Sequence, residues 1–204
     1  GWLPLLCTMN VTNTTEHLKS LLDITNNELE TLAAQAPSGS DDLLFLPFLD
    51  GERVPVLPDA RGVLFGMNRS NISKSHLARA FMEGTILNLG YGLNRMRSLG
   101  LVPTQIRATG GGANSLTWLH IVADIFQTPV LTLEEQESAA LGAAIQSIWC
   151  YSLQKGEDIS IQELTDNLVK TKSSVIQPDP MNFPVYEKQQ ERFNSLWQTL
   201  KKEF

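Results

Sequence analysis

The residues with the clearest chemical potential are three consecutive glycines, Gly110, Gly111 and Gly112, in the stretch "QIRATGGGANSLTWLHIVADIF". An alternating run ends at them, and an apolar segment of helical period begins almost at once. A glycine-rich turn between a strand and a helix N-terminus lets a ligand touch bare backbone, since no Cβ intervenes. Backbone N–H groups and the helix dipole then favour a polar or anionic ligand, and nucleotides are the common user. Three glycines also make an ordinary tight turn, and spacing alone leaves that reading open.

Other chemistries fail on residue type or spacing. A dinucleotide pattern G-x-G-x-x-G anchored at Gly110 and Gly112 needs glycine at position 115, where Ser115 stands, although Glu134 lies where a ribose-binding acid would fall. No Gly-Lys-Ser/Thr follows the glycines, and there is no G-x-S-x-G elbow. His17, His76 and His120 are dispersed singles, so no metal-ligand spacing is present.

The elements that must position the glycines follow from periodicity. Strand Gln105 to Thr109, helix Ser115 to Phe126, strand Val130 to Leu133 and helix Glu137 to Ser152 make a β-α-β-α series, the sign of an α/β layered domain. Upstream, residues 1–10 read as a strand, "NTTEHLKSLLD" and "TNNELETLAAQ" as two short helices, and "LLFLPFL" as a buried strand. "DGERVPVLPDARG" reads as a loop, and residues 73–99 as a long helix with Ser73 or Ser75 as N-cap and apolar residues on more than one face. The helix from Glu137 carries small residues, Ala139, Ala143 and Ser147, which let a backbone or flat ligand approach. Residues 155–204 read as a helical C-terminal extension that ends in an amphipathic helix with Phe193 and Trp197 on its apolar face.

Bulk properties bound the rest. The chain has 204 residues, 42% apolar and 19% charged, enough for one domain with a real core. A net charge of −6 and a pI near 5.1 offer no electrostatic footprint for nucleic acid or an anionic membrane. Cys7 and Cys150 lie among apolar residues and are expected to be buried, reduced thiols, which points to the cytoplasm. The sequons at Asn10, Asn13, Asn68 and Asn71 are read as chance matches. An abrupt start in what reads as a core strand suggests a piece of a longer polypeptide.

Four ordered segments carry a resemblance: "FLPFLDGERVP", "ARGVLFGMNRSNISKSHLARAFMEG", "IRATGGGANSLTWLHIVADIF" and "EQESAALGAAI". In order and spacing they resemble the C-terminal half of the FGGY carbohydrate kinases, and within them the members that phosphorylate D-xylulose. The resemblance covers about residues 44–149. Phe81 departs from it, standing where a smaller aliphatic residue is usual.

The resemblance implies an α/β fold, the C-terminal domain of the actin-like ATPase (ribonuclease H-like) fold, with a mixed sheet flanked by helices. Residues 1–204 would then be the nucleotide-side domain of a two-domain kinase. It implies that Gly110, Gly111, Gly112, Ala113 and Asn114 receive the adenosine half of ATP, that Ser115 caps the helix behind them, and that Asn71 adds a polar contact. Glu52 and Arg53 would form an ion pair shaping the "GER-x-P" loop. The implied reaction is ATP-dependent phosphorylation of a pentulose, D-xylulose first, with gluconate or ribulose as alternatives, and with Mg²⁺ beside the phosphates.

The general-base Asp and most sugar contacts are expected upstream of this chain. No catalytic or metal-binding residue is therefore assigned here, and the chain alone is expected to be inactive. Expected partners are the sugar, ATP, the N-terminal domain of the same parent chain and, as an open option, a second copy in a homodimer; nucleic acid and membrane are not among them. A contrasting reading is a non-catalytic assembly module that docks through the Phe193 and Trp197 face.

Overall fold

A computed structural model describes residues 3–204. At its centre lies a 25-residue helix, α3 (Lys74–Ser98), against which most other elements pack. Every residue from Ala80 to Asn88 is buried, so the helix has no solvent face over that stretch, as apolar residues on several of its faces foretell. Ser73 caps it, its Oγ accepting from the His76 amide at 3.3 Å.

One side of α3 is covered by α1 (Thr12–Leu22) and α2 (Asn26–Gln35). The start of α2 is fixed by a capping box in which Thr25 Oγ1 accepts from Glu28 N and Glu28 Oε2 accepts from Thr25 N. Another side meets β1 (Leu44–Leu46), which pairs antiparallel with β2 (Val63–Phe65). Here α3 and β1 approach so closely that a Cβ at Gly84 would run into the Phe45 carbonyl oxygen. Phe81 stacks on Phe45, ring centroids 3.8 Å apart, so the unusual aromatic is absorbed by a partner across that contact.

The second sheet has the order β3 (Ile106–Ala108), β4 (Val130–Leu133), β5 (Thr171–Ile176). β3 and β4 run parallel, and β5 joins β4 antiparallel. The crossover between the parallel pair is α4 (Leu116–Phe126), whose Trp118, Ile121 and Phe126 enter the main core with Leu18, Leu29, Met82 and Ile86. After β4 come α5 (Ser138–Gln154), α6 (Ile161–Leu168) and, beyond β5, α7 (Phe183–Leu200). A second core joins Leu44, Leu46, Phe48 and Leu87 to Phe193 and Trp197 of α7.

Several expectations need correction. Residues 1 and 2 of the expected opening strand lie outside the described residues, and residues 3–10 form no strand. The segment has no regular secondary structure and is held where Met9 N and Asn10 Nδ2 bond to Glu52. Both cysteines are exposed: apolar neighbours in sequence do not ensure burial in a non-helical segment (Cys7) or on the outer side of α5 (Cys150).

The C-terminal extension is not purely helical, because β5 lies within it. That strand is exposed at Lys172 to Val175 and gains its place from β4's hydrogen-bonding edge, not from a hydrophobic period. Phe193 is fully buried and Trp197 is 8% exposed, so the apolar face of α7 is spent on the domain's own core and offers no docking surface. Among the described residues, no helix is long and apolar enough to cross a membrane.

Candidate nucleotide-binding turn

The glycines end β3 and open a short 3-10 turn, Gly111–Asn114, after which Ser115 caps α4 by accepting from Trp118 N at 3.2 Å. Their backbones differ in a telling way. Gly110 has φ +82° and ψ −172°, a region open in practice only to glycine. Gly111 needs no positive φ, and a Cβ added there would meet nothing within 4 Å. At Gly112 a Cβ would make ordinary contact with Trp118, at 3.6 Å. The fold therefore requires glycine only at the first of the three positions.

Two cavities flank the turn. One, about 410 Å³, lies between Gly111, Gly112, Asn114 and Ser115 on one wall and Thr12, Thr15 and Glu16 of α1 with Asn26, Asn27 and Glu30 of α2 on the other. The second, about 330 Å³, is lined by Gly110 to Ala113 and by the apolar side chains of Val11, Ile86, Leu119 and Val122. Both volumes fall in the range of small-molecule sites.

Polar latches hold the turn to the segment that enters α5. Asn114 and Gln136 exchange two side-chain hydrogen bonds, at 2.7 and 3.3 Å, and the Thr109 and Ser138 hydroxyls lie 2.7 Å apart. Glu30 Oε1 accepts from Thr117 N at 3.1 Å and so ties α2 to the first turn of α4. Gln136 and Ser138 lie within the segment "EQESAALGAAI" but were given no role beside the glycines, and Glu30 sits in a separate segment with no motif. Only the parallel pairing of β3 with β4 and the packing of α2 on α4 bring them to the turn.

Gly110 to Ser115 thus form one contiguous wall, while Asn71 lines neither cavity. Its side chain is fully buried and accepts from Asn68 N at 2.8 Å while donating to the Asp41 and Gly66 carbonyls at 2.9 Å each. That bonding shapes the connection before α3.

The Glu52 and Arg53 ion pair does not form among the described residues. Buried Glu52 is instead solvated by four donors: the Met9 and Arg53 amides and the side chains of Asn10 and Asn88. The Arg53 guanidinium turns to Cys7 Sγ at 3.5 Å. A buried carboxylate needs donors more than it needs a cation, and these amides are nearer than the flexible guanidinium.

Asp50 and Asp59 are exposed turn residues. Asp124 is buried and accepts from Asp179 N and Asn182 Nδ2, both at 2.7 Å, fastening the start of α7 to α4. Among the described residues no three His, Cys, Asp or Glu side chains converge on a common metal position.

With this geometry in view, the likenesses to known proteins take on meaning. The model of the FGGY family of carbohydrate kinases, C-terminal domain, matches residues 6–151. The chain belongs to the FGGY family of carbohydrate kinases. A xylulose kinase of Haemophilus influenzae is 46% identical over 149 residues, which is 73% of this chain and 30% of that protein. A gluconokinase of Bacillus subtilis is 42% identical over 123 residues, 59% of this chain and 24% of the relative.

Among solved structures, a xylulose kinase from Rhodospirillum rubrum superposes with a TM-score of 0.80 at 31% identity, covering 95% of this chain and 39% of the other. A ligand-bound xylulose kinase from Lactobacillus acidophilus gives 0.81 at 29% identity, again over 95% of this chain and 39% of the other. The chain therefore spans about a third of the length of the FGGY kinases it matches, and its mixed sheet flanked by helices is part of their actin-like ATPase fold.

Proposed function

We propose that this chain supplies the adenosine-binding side of an ATP-dependent sugar kinase, and that the intact protein phosphorylates a pentulose, D-xylulose first. The observation that carries the reading is the contrast within the glycine run. Gly111 and Gly112 border a cavity and have no structural need to lack a side chain, so a ligand that packs on bare backbone accounts for them. Gly110 to Ser115 touch the adenosine half, with Asn71 acting through the connection it holds together.

In such a reaction an Asp takes the proton from the attacking sugar hydroxyl, and positioning and electrostatics do most of the work. That Asp is placed in the N-terminal domain of the parent protein, which also brings most of the sugar contacts and acts in the cytoplasm. Mg²⁺ enters only with ATP, with no residue of this chain assigned to it.

Gluconate is the second reading for the sugar, favoured by the 42% identity to a gluconokinase. The choice lies in residues outside this chain. A coupled ADP-release assay on the full-length protein, with D-xylulose, D-ribulose, L-ribulose, gluconate and glycerol offered separately with Mg-ATP, tests both. Selective turnover of D-xylulose supports the first reading, and selective turnover of gluconate replaces it with the second. Silence on every sugar would sink both. The 204-residue chain alone should phosphorylate none of them.

A further inference from the structure

The cavity on the α1 and α2 side of the turn has a charge pattern unsuited to phosphate. Two carboxylates, Glu16 and Glu30, line it, and no lysine, arginine or histidine does. The nearest cation in sequence, Lys19, is already paired with Glu16 at 2.8 Å and bonded to Asn26 Oδ1.

A helix N-terminus usually compensates such a pattern by offering free amides to an anion. At α4 three of those amides are taken: Ser115 N donates to Gly112 O, Thr117 N to the Glu30 carboxylate and Trp118 N to Ser115 Oγ. A phosphate approaching the helix from this cavity would meet a negative charge already seated there. What the cavity offers is the opposite chemistry, carboxylate and amide acceptors beside bare glycine backbone and the Trp118 ring.

The nucleotide reading above puts the purine base in this cavity, and we propose that Glu30 is a specificity-determining residue within it. With Oε1 held by Thr117 N, Oε2 is left to accept from an exocyclic amino group such as that of adenine. A base with a carbonyl at that position would set an acceptor against a carboxylate, an unfavourable pairing, and would keep only its ring N1–H as a donor on that edge. The phosphates then point away from Glu16 and Glu30. This proposal rests on the nucleotide reading above and adds which residue reads the base.

The test is calorimetric titration of the full-length protein with ADP, inosine diphosphate and the diphosphate of purine riboside, which lacks the amino group. Wild-type protein should bind ADP at least about tenfold tighter than either analogue, roughly the effect of one charge-assisted hydrogen bond. In Glu30→Gln the amide can still accept from Thr117 N while offering a donor to the base. The preference for ADP over inosine diphosphate should therefore shrink to about threefold or less.

Purine riboside diphosphate binding as tightly as ADP to wild-type protein would overturn the role of Glu30 without any variant. So would an unchanged preference in a folded Glu30→Gln protein, and in both cases the nucleotide reading would stand. Failure of ADP to bind wild-type protein at all, or equal binding by Gly111→Val, would overturn that reading and this proposal with it.

Discussion

Tyr186 donates its hydroxyl to Glu83 Oε1 at 2.7 Å, joining α7 to the middle of α3 across 103 positions of sequence. The same oxygen accepts from Arg79 Nε at 2.7 Å and from Gly39 N at 3.0 Å, and Arg79 also reaches the Tyr186 hydroxyl at 2.9 Å. The cluster is buried at the junction of α3, α7 and the loop after α2. Burial pushes the Glu83 carboxyl above its ordinary value, against the pull of Arg79 and three hydrogen bonds.

Removing the cation should therefore expose how much of that carboxylate depends on it. Arg79→Met is expected to cost about 3–5 kcal/mol in chemical denaturation at pH 7, the range for stranding one member of a buried ion pair. Without Arg79 the Glu83 carboxyl moves further up, so the variant folds with a proton bound that the unfolded chain has released. A folded-state pKa above the unfolded one gives stability that grows as pH falls. The deficit relative to wild type should accordingly be smaller at pH 5 than at pH 7; an equal or larger deficit at pH 5 would contradict the assignment.

Tyr186→Phe removes only the hydroxyl and leaves the ring in place. Glu83 keeps two donors, so the expected loss is about 1 kcal/mol, typical of one hydrogen bond. Thermal and chemical denaturation of this variant beside Arg79→Met would separate the contribution of the hydroxyl from that of the charge.

Ser115 is the N-cap of α4, its Oγ accepting from Trp118 N. Ser115→Ala should lower stability by about 1 kcal/mol. Because the cap is one wall of the cavity beside the turn, the same variant should also weaken nucleotide binding severalfold in calorimetry. A stability loss with unchanged nucleotide affinity would confine Ser115 to the helix.

How far these relationships could be read in advance depended on whether the signal was local. The β3, α4 and β4 series and the Ser115 cap were legible because strand alternation, helical period and capping chemistry all lie within a few residues of one another. The α7 stripe was equally legible as apolar. A stripe reports that something covers it, however, and not what: Phe193 and Trp197 were offered to a partner when Phe48 and Leu46 already cover them.

β5 was invisible because its sequence, "TKSSVI", is mostly exposed and is recruited by a neighbouring edge. Glu30 was harder still. On α2 it is one of two glutamates, and it becomes part of the site only through a hydrogen bond to a residue 87 positions away. The Glu52 expectation failed for a related reason. Three of the four donors that satisfy its carboxylate come from residues 9–10 and from Asn88, which no local pattern connects to the "GER-x-P" loop.

The glycine run itself offers the sharpest separation of fold from function. Gly110→Ala forces a Cβ into backbone at φ +82°, ψ −172°, and should cost about 1–3 kcal/mol. Gly111→Ala meets open space and no unusual φ, so its stability should stay within about 0.5 kcal/mol of wild type. Nucleotide affinity should move differently, with Gly111→Ala losing about tenfold or more in calorimetric titration with ADP because the new methyl occupies the surface on which the nucleoside packs. If Gly111→Ala were as stable as wild type and bound ADP equally well, the turn would be a tight turn and nothing else. If it lost stability like Gly110→Ala, its glycine would be explained by the backbone, and the observation that carries the proposed function would be gone.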